Sequence, residues 1–239
     1  MQKRNPYTTP ESDLHGGSAG VSGGSIEAAL AGESNWEIGQ VISESWQNLA
    51  GFKGSYWLGL LIYFAIAFAI SFVFAFLAGE SVMIAFIGEI ISNLVTLPIL
   101  AGIWMIALRR AADLPVSGGM VLQFYQKIWP LFLMFILISI FTMLGFLLLI
   151  IPGIYLAVAY SLAIPLMVEK DLDIWESMEV SRKAVSKCWF RMFGLFIVLL
   201  LILAVSAIPL GIGLIWALPL AMLTVGTVYR EMFGVELND

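Results

Sequence analysis

The sequence predicts an all-α, polytopic membrane protein: six transmembrane helices paired as three hairpins, each preceded by a short amphipathic interfacial helix. Three observations predict it. Hydrophobic residues make up 60% of the 239 and charged residues 12%, and mean hydropathy is +0.94, outside the range of water-soluble domains. Six apolar runs recur, at 57–78, 81–108, 129–151, 153–168, 189–208 and 210–228. Most reach the ~20 residues that cross a ~30 Å hydrocarbon core, and the fourth is short. Finally, the 12 Lys and Arg residues segregate to one side of those runs.

Taken in order, residues 1–34 hold Pro6, Pro10 and a Gly/Ser stretch but few large apolar side chains, a composition expected to leave a disordered tail. Lys3 and Arg4 are followed by polar sequence with no apolar core of a signal peptide, so the first spanning helix is expected to direct insertion. The membrane domain is expected over 35–234, with 235–239 as a C-terminal tail.

The runs are joined pairwise by very short turns: Gly79 and Glu80, then Pro152 alone, then Pro209 alone. Only 109–128 and 169–188 are long connections. One face therefore carries the tail, two loops and the C-terminus, and every Lys and Arg falls on it, including Lys53, Arg109, Arg110, Lys127, Lys170 and Arg230. That asymmetry predicts both termini on the cytoplasmic side. Trp57, Trp104, Trp129 and Trp189 are expected as interfacial anchors of that face.

Amphipathic stretches precede the pairs. Ile38, Val41, Ile42 and Leu49 fall at helical spacing within 36–49, and Ile174, Trp175, Met178 and Val185 repeat it within 172–188. A shift of 136 residues superposes Ile38, Ile42, Ser45 and Leu49 on Ile174, Met178, Ser181 and Val185, with 119–128 a weaker middle copy. The second helix of each pair also holds an apolar-Pro-apolar step, at Pro98, Pro165 and Pro219. Three units, each an interfacial helix and a hairpin, are the expectation.

For catalysis the inventory is thin. His15, the one histidine, lies in the tail without a second titratable group, so zinc-hydrolase and Ser-His chemistries are not expected. Glu89 is the one carboxylate well inside an apolar run, and no Gly-rich loop carries a phosphate-binding lysine. No enzyme, cofactor, metal or nucleic-acid partner is expected. Cys188, the single cysteine, reads as an inert thiol.

Glu89 demands an account. With Ser92, Asn93 and Thr96 at i+3, i+4 and i+7 it forms a polar stripe, which in lipid should face inward, toward protein or a water-filled cavity. Two readings stand: a contact to a solute or proton, as in a small permease, or a carboxyl hydrogen-bonded across the bundle. Small residues at every fourth position (Ala67, Ser71, Ala75, Gly79; Gly153, Ala157, Ser161; Gly213, Ala217, Ala221) predict close-packed helix faces. Arg182, Lys183, Lys187 and Arg191 beside Trp189 and Phe190 predict a surface for anionic lipid headgroups on the cytoplasmic face. The tail is a possible docking segment for a protein partner.

The run Leu149-Ile150-Ile151-Pro152-Gly153-Ile154-Tyr155-Leu156-Ala157, then Ala163-Ile164-Pro165-Leu166-Met167-Val168, the Trp175-Glu176-Ser177-Met178 stretch before Trp189, and Tyr229-Arg230-Glu231 resemble a bacterial family of six-helix inner-membrane proteins. It includes the YciC-type proteins and the membrane domain attached to some glycerophosphodiester phosphodiesterases. The resemblance covers about 36–234, and Asn5-Pro6-Tyr7-Thr8-Thr9-Pro10 looks like an N-terminal tag of several bacterial membrane proteins. It implies an inner-membrane location and six helices, and supplies no catalytic residues. The expectation is a non-enzymatic scaffold, assembly partner or lipid-organising component, with a Glu89 permease as the alternative.

Overall fold

A computed structural model describes residues 21–236. Strand β1 (Val21–Ser22) pairs antiparallel with β2 (Val235–Glu236), and the helices are α1 (Ile26–Ala31), α2 (Ile38–Ala78), α3 (Val82–Ala111), α4 (Ile128–Leu148), α5 (Ile150–Ala159), α6 (Ala163–Glu169), α7 (Ile174–Lys187), α8 (Trp189–Ala207) and α9 (Leu214–Phe233). Among the described residues five stretches are long and apolar enough to cross a membrane: α2, α3, 118–148, 150–169 and α8. These are the spans of a multi-pass membrane protein. The expected sixth, α9, is not among them, because Pro219, Arg230 and Glu231 lower its hydropathy. Most of its C-terminal half is buried by protein, so it needs less lipid-facing surface.

Several expectations are corrected. Of the tail expected to be disordered, positions 1–20 lie outside the described residues, whereas 21–34 are structured. Ser25 caps α1 by accepting from the Ala28 N–H at 3.2 Å, Gly32 ends the helix with φ +85°, and α1 packs on α7 and α9. Gly23 and Gly24 lie against the end of α9 so closely that a Cβ on Gly24 would stand 2.5 Å from the Glu231 carbonyl oxygen.

No separate interfacial helix precedes the first span. Residues 38–78 form one helix of 41 residues, about 61 Å long at 1.5 Å per residue. Its amphipathic half is covered by protein, with Val41, Ser45, Leu49, Phe52 and Tyr56 buried. The middle copy, 119–128, is two 3₁₀ turns (Gly118–Leu122 and Tyr125–Lys127), and the first packs its backbone onto α3. There a Cβ on Gly102 would sit 2.3 Å from the Val121 Cα. Only the third, α7, is a discrete amphipathic helix. Its apolar face (Met178, Val180, Ala184, Val185) is buried against protein.

The prolines act differently from one another. Pro165 cannot donate to the Ser161 carbonyl four residues earlier, and the fourth segment divides into α5 and α6 at 160–162. Ser181 of α7 donates to the Ala159 carbonyl at the broken end, at 2.7 Å. Pro98 and Pro219 stay inside continuous helices. The carbonyl that Pro219 frees, Ile215, accepts from the Trp57 indole at 3.1 Å. Pro152 lies in the first turn of α5, after a break at Leu149, and the turn before α9 runs over 208–213, with Leu210 at φ +53°.

Burial is concentrated at the end that bears the loops. It occupies the first half of α2, the second halves of α3 and α9 and the first half of α8, while Phe68, Phe72, Phe76, Met83, Phe86, Leu147 and Leu148 toward the turns of the helix pairs are exposed. The small-residue face of α2 is mostly uncovered, with Ser71, Ala75 and Gly79 exposed. α9 runs antiparallel along the first half of α2, Ser45 meeting Thr227 at 3.0 Å and Trp57 meeting Ile215. The start of α9 is therefore level with Trp57, and α2 continues some 30 Å beyond it. Lys53 stands over the Trp216 ring at 5.2 Å, so one cation lies near the end of α9 expected to carry none.

Candidate functional site

The expected polar stripe divides into two. Ser92 and Thr96 turn into the protein and are buried, Thr96 donating back to the Ser92 carbonyl at 2.8 Å. Glu89 is exposed on the outer surface of α3, contrary to the inward placement expected, and Asn93 lies beside it, half-buried. Asn93 Nδ2 donates to Glu89 Oε1 and to the Glu89 carbonyl, both at 2.9 Å. The division follows neighbours, not periodicity: beyond Ser92 α3 meets the 118–122 turn at Gly102 and α9 at Ala107, whereas beside Glu89 it is Gly88 that is covered, by Phe74 of α2. A charged group at mid-span costs about 2.5–3.5 kcal/mol on insertion scales when lipid is its surrounding.

At the loop-bearing end lies a polar knot that sequence reasoning missed. Arg230 donates bidentately to Glu44 of α2 (2.5 and 3.0 Å), to its neighbour Glu231 (3.2 and 2.5 Å), and to the Ala111 carbonyl that ends α3. Its side chain is 11% exposed, so three helix ends are tied by one nearly buried guanidinium. Next to it, Tyr229 donates to Glu169 Oε2 at 2.7 Å and the Glu236 N–H donates to Oε1 at 2.9 Å, with Lys170 3.3 Å away. Arg110 donates to the Asn48 carbonyl at 3.0 Å. The signal available in sequence was three adjoining polar residues, Tyr229-Arg230-Glu231, and Ala111 with nothing to mark it. Nothing in the local pattern names Glu44 or Glu169 as partners.

A third feature is a cleft of about 400 Å³ between α8 and α9, which meet much less extensively than α2 and α3 do. Its walls are Phe196, Leu199 and Leu203 of α8 and Leu218, Ala221 and Met222 of α9, and Tyr56, Trp104 and Ser161 close it. Ser161 is the residue at the α5–α6 break, and its Oγ is buried with no hydrogen-bond partner among the described residues. No carboxylate, imidazole or cation lines the cleft, and neither does Glu89. Among the described residues no group of three His, Cys, Asp or Glu side chains could hold a metal ion.

The expected basic surface is partly neutralised. Arg182 donates to Glu179 at 2.9–3.0 Å and Lys183 stands 3.1 Å from the same carboxylate, holding Glu179 below the usual carboxylate range. Arg191 donates to the Ser34 carbonyl at 3.2 Å and stacks over Trp36, and Lys187 remains exposed. Lys127 pairs with exposed Asp171 at 2.5 Å and lowers its carboxyl likewise. Burial pushes the Cys188 thiol up. No family model matches the chain, and no curated protein sequence and no solved structure matches it either.

Proposed function

We propose that this chain is a non-enzymatic, multi-pass integral component of a bacterial inner membrane with both termini cytoplasmic, and that it organises lipid as part of a scaffold. It would then be of the six-helix kind that its Pro152-Gly153 run and Tyr229-Arg230-Glu231 resemble. The observation that carries this reading is the cleft between α8 and α9: apolar walls, one unpartnered hydroxyl at Ser161, the Tyr56 phenol, and no carboxylate, imidazole or cation. Such a lining accommodates an acyl chain and offers no acid, base or nucleophile pair to a polar substrate. The permease alternative needs a route to Glu89, which is exposed and does not line the cleft.

Native mass spectrometry of the protein released from mild detergent tests it. Phospholipid is expected to co-purify, and Ala221→Trp, which fills the cleft, is expected to remove at least one bound lipid while folded yield is kept. Absence of bound lipid from the unaltered protein, or its indifference to Ala221→Trp, would sink the lipid-organising reading.

A further inference from the structure

The outer part of the α2–α3 pair is uncovered by the rest of the chain. The most apolar 18-residue window of α2 has no buried residue, and Phe86, Ile87 and Ile90 of α3 are exposed on either side of Glu89. Along α3 an outward stripe runs through Ser81, Ala85, Glu89 and Asn93, one residue per turn, small or polar at every step. Small residues let a second backbone approach closely, and an intramembrane carboxyl and carboxamide left facing lipid are costly until something covers them.

What the pair leaves over identifies the cover. Asn93 Nδ2 donates to the Glu89 carbonyl and to Glu89 Oε1, which leaves Glu89 Oε2 and Asn93 Oδ1 over, beside a carboxamide that can donate to a second chain as well as within its own. This set complements itself. Two copies inserted in one bilayer place these groups at the same depth, and a two-fold axis along the membrane normal brings each Asn93 carboxamide to the other copy's Glu89 carboxyl.

We propose that two copies of this chain associate through the Ser81, Ala85, Glu89 and Asn93 stripe of α3, with Glu89 of each copy hydrogen-bonded to Asn93 of the other. The proposal rests on the membrane reading above and gives the scaffold its assembly contact. It is tested by oxidative cross-linking in native membranes, in a Cys188→Ser background that removes the single native thiol. Ala85→Cys is expected to yield a species of twice the 26.3 kDa chain mass, and Ile87→Cys, on another face, at least fivefold less. Adding Glu89→Gln, which keeps hydrogen bonding, leaves the Ala85→Cys yield within twofold. Replacing Glu89 and Asn93 together by Leu lowers it at least fivefold, with folded yield in detergent unchanged. No dimer, equal yields at 85 and 87, or a cross-linked species of another mass, marking a different partner, each overturns the proposal. Alkaline carbonate washing separates the two failures: a chain that stays in the membrane without cross-linking refutes the dimer alone, and a chain that washes out refutes the membrane reading.

Discussion

Arg230 is the residue on which the packing of the loop-bearing end converges, because one fork of donors reaches α2, the end of α3 and Glu231. Replacing Arg230 by Met leaves two carboxylates, Glu44 and Glu231, facing each other without a cation, and is expected to lower stability by about 3 kcal/mol, the usual cost of deleting one partner of a nearly buried pair. Glu44→Gln keeps one acceptor and is expected to cost only about 1 kcal/mol. Thermal unfolding in a single detergent compares them. The Glu179 carboxyl behaves oppositely to a core group: its pKa is lowered in the fold, so its contribution is present at neutral pH and lost as pH falls through that lowered value. Its pair with Arg182 lies at the surface and is expected to contribute about 0.5 kcal/mol, so Glu179→Gln should remove a small stabilisation at pH 7 that fades as pH falls through the lowered carboxyl pKa.

At the scale of elements, Pro219 and Pro165 differ in what becomes of the carbonyl that each leaves without a donor. Ile215 finds the Trp57 indole, and α9 stays whole; Ser161 has no N–H from Pro165, and its segment breaks. Trp57→Phe is therefore expected to cost about 1 kcal/mol, the net worth of one hydrogen bond, with the difference readable in the midpoint of chemical unfolding. Gly102→Ala acts more severely. The new methyl would overlap the Val121 backbone, which cannot rotate aside as a side chain can, so the 118–122 turn must lift off α3. An overpacked core of this sort typically costs about 1–3 kcal/mol, and loss of folded yield is the measurement.

The whole molecule is tight where loops and polar groups gather and loose where the helix pairs turn. Lipid supplies the reason: no hydrophobic drive brings apolar helices together in hydrocarbon, so hydrogen bonds, ion pairs and close backbone contacts hold them, and the buried hydrogen bonds and the Arg230 ion pairs lie at the loop-bearing end. Arg109, Arg110, Lys127, Lys170, Arg182, Lys183, Lys187, Arg191 and Arg230 all lie there as well, with Lys53 the exception. A reporter fused after the C-terminus is expected to be active only in the cytoplasm, and periplasmic activity would reverse the proposed orientation.

Composition and the spacing of apolar runs were enough to determine an all-α chain built for lipid, the approximate limits of most long helices, and the end at which its charges collect. These properties are local: each follows from a residue's own transfer energy and the 3.6-residue repeat. The residues 36–49 illustrate what was not local. Their amphipathic pattern announced one face in need of cover, and nothing in it could say whether lipid headgroups or α9 would supply it. Likewise Glu89 and Thr96 share a sequence period, yet one is exposed and the other buried, because the 118–122 turn and α9 meet α3 at Gly102 and Ala107, well past Glu89. Partners such as Glu44 for Arg230, 186 residues apart, were chosen by tertiary packing alone. A sequence pattern states what a surface requires, and only the three-dimensional arrangement of the other elements decides which of several acceptable partners meets it.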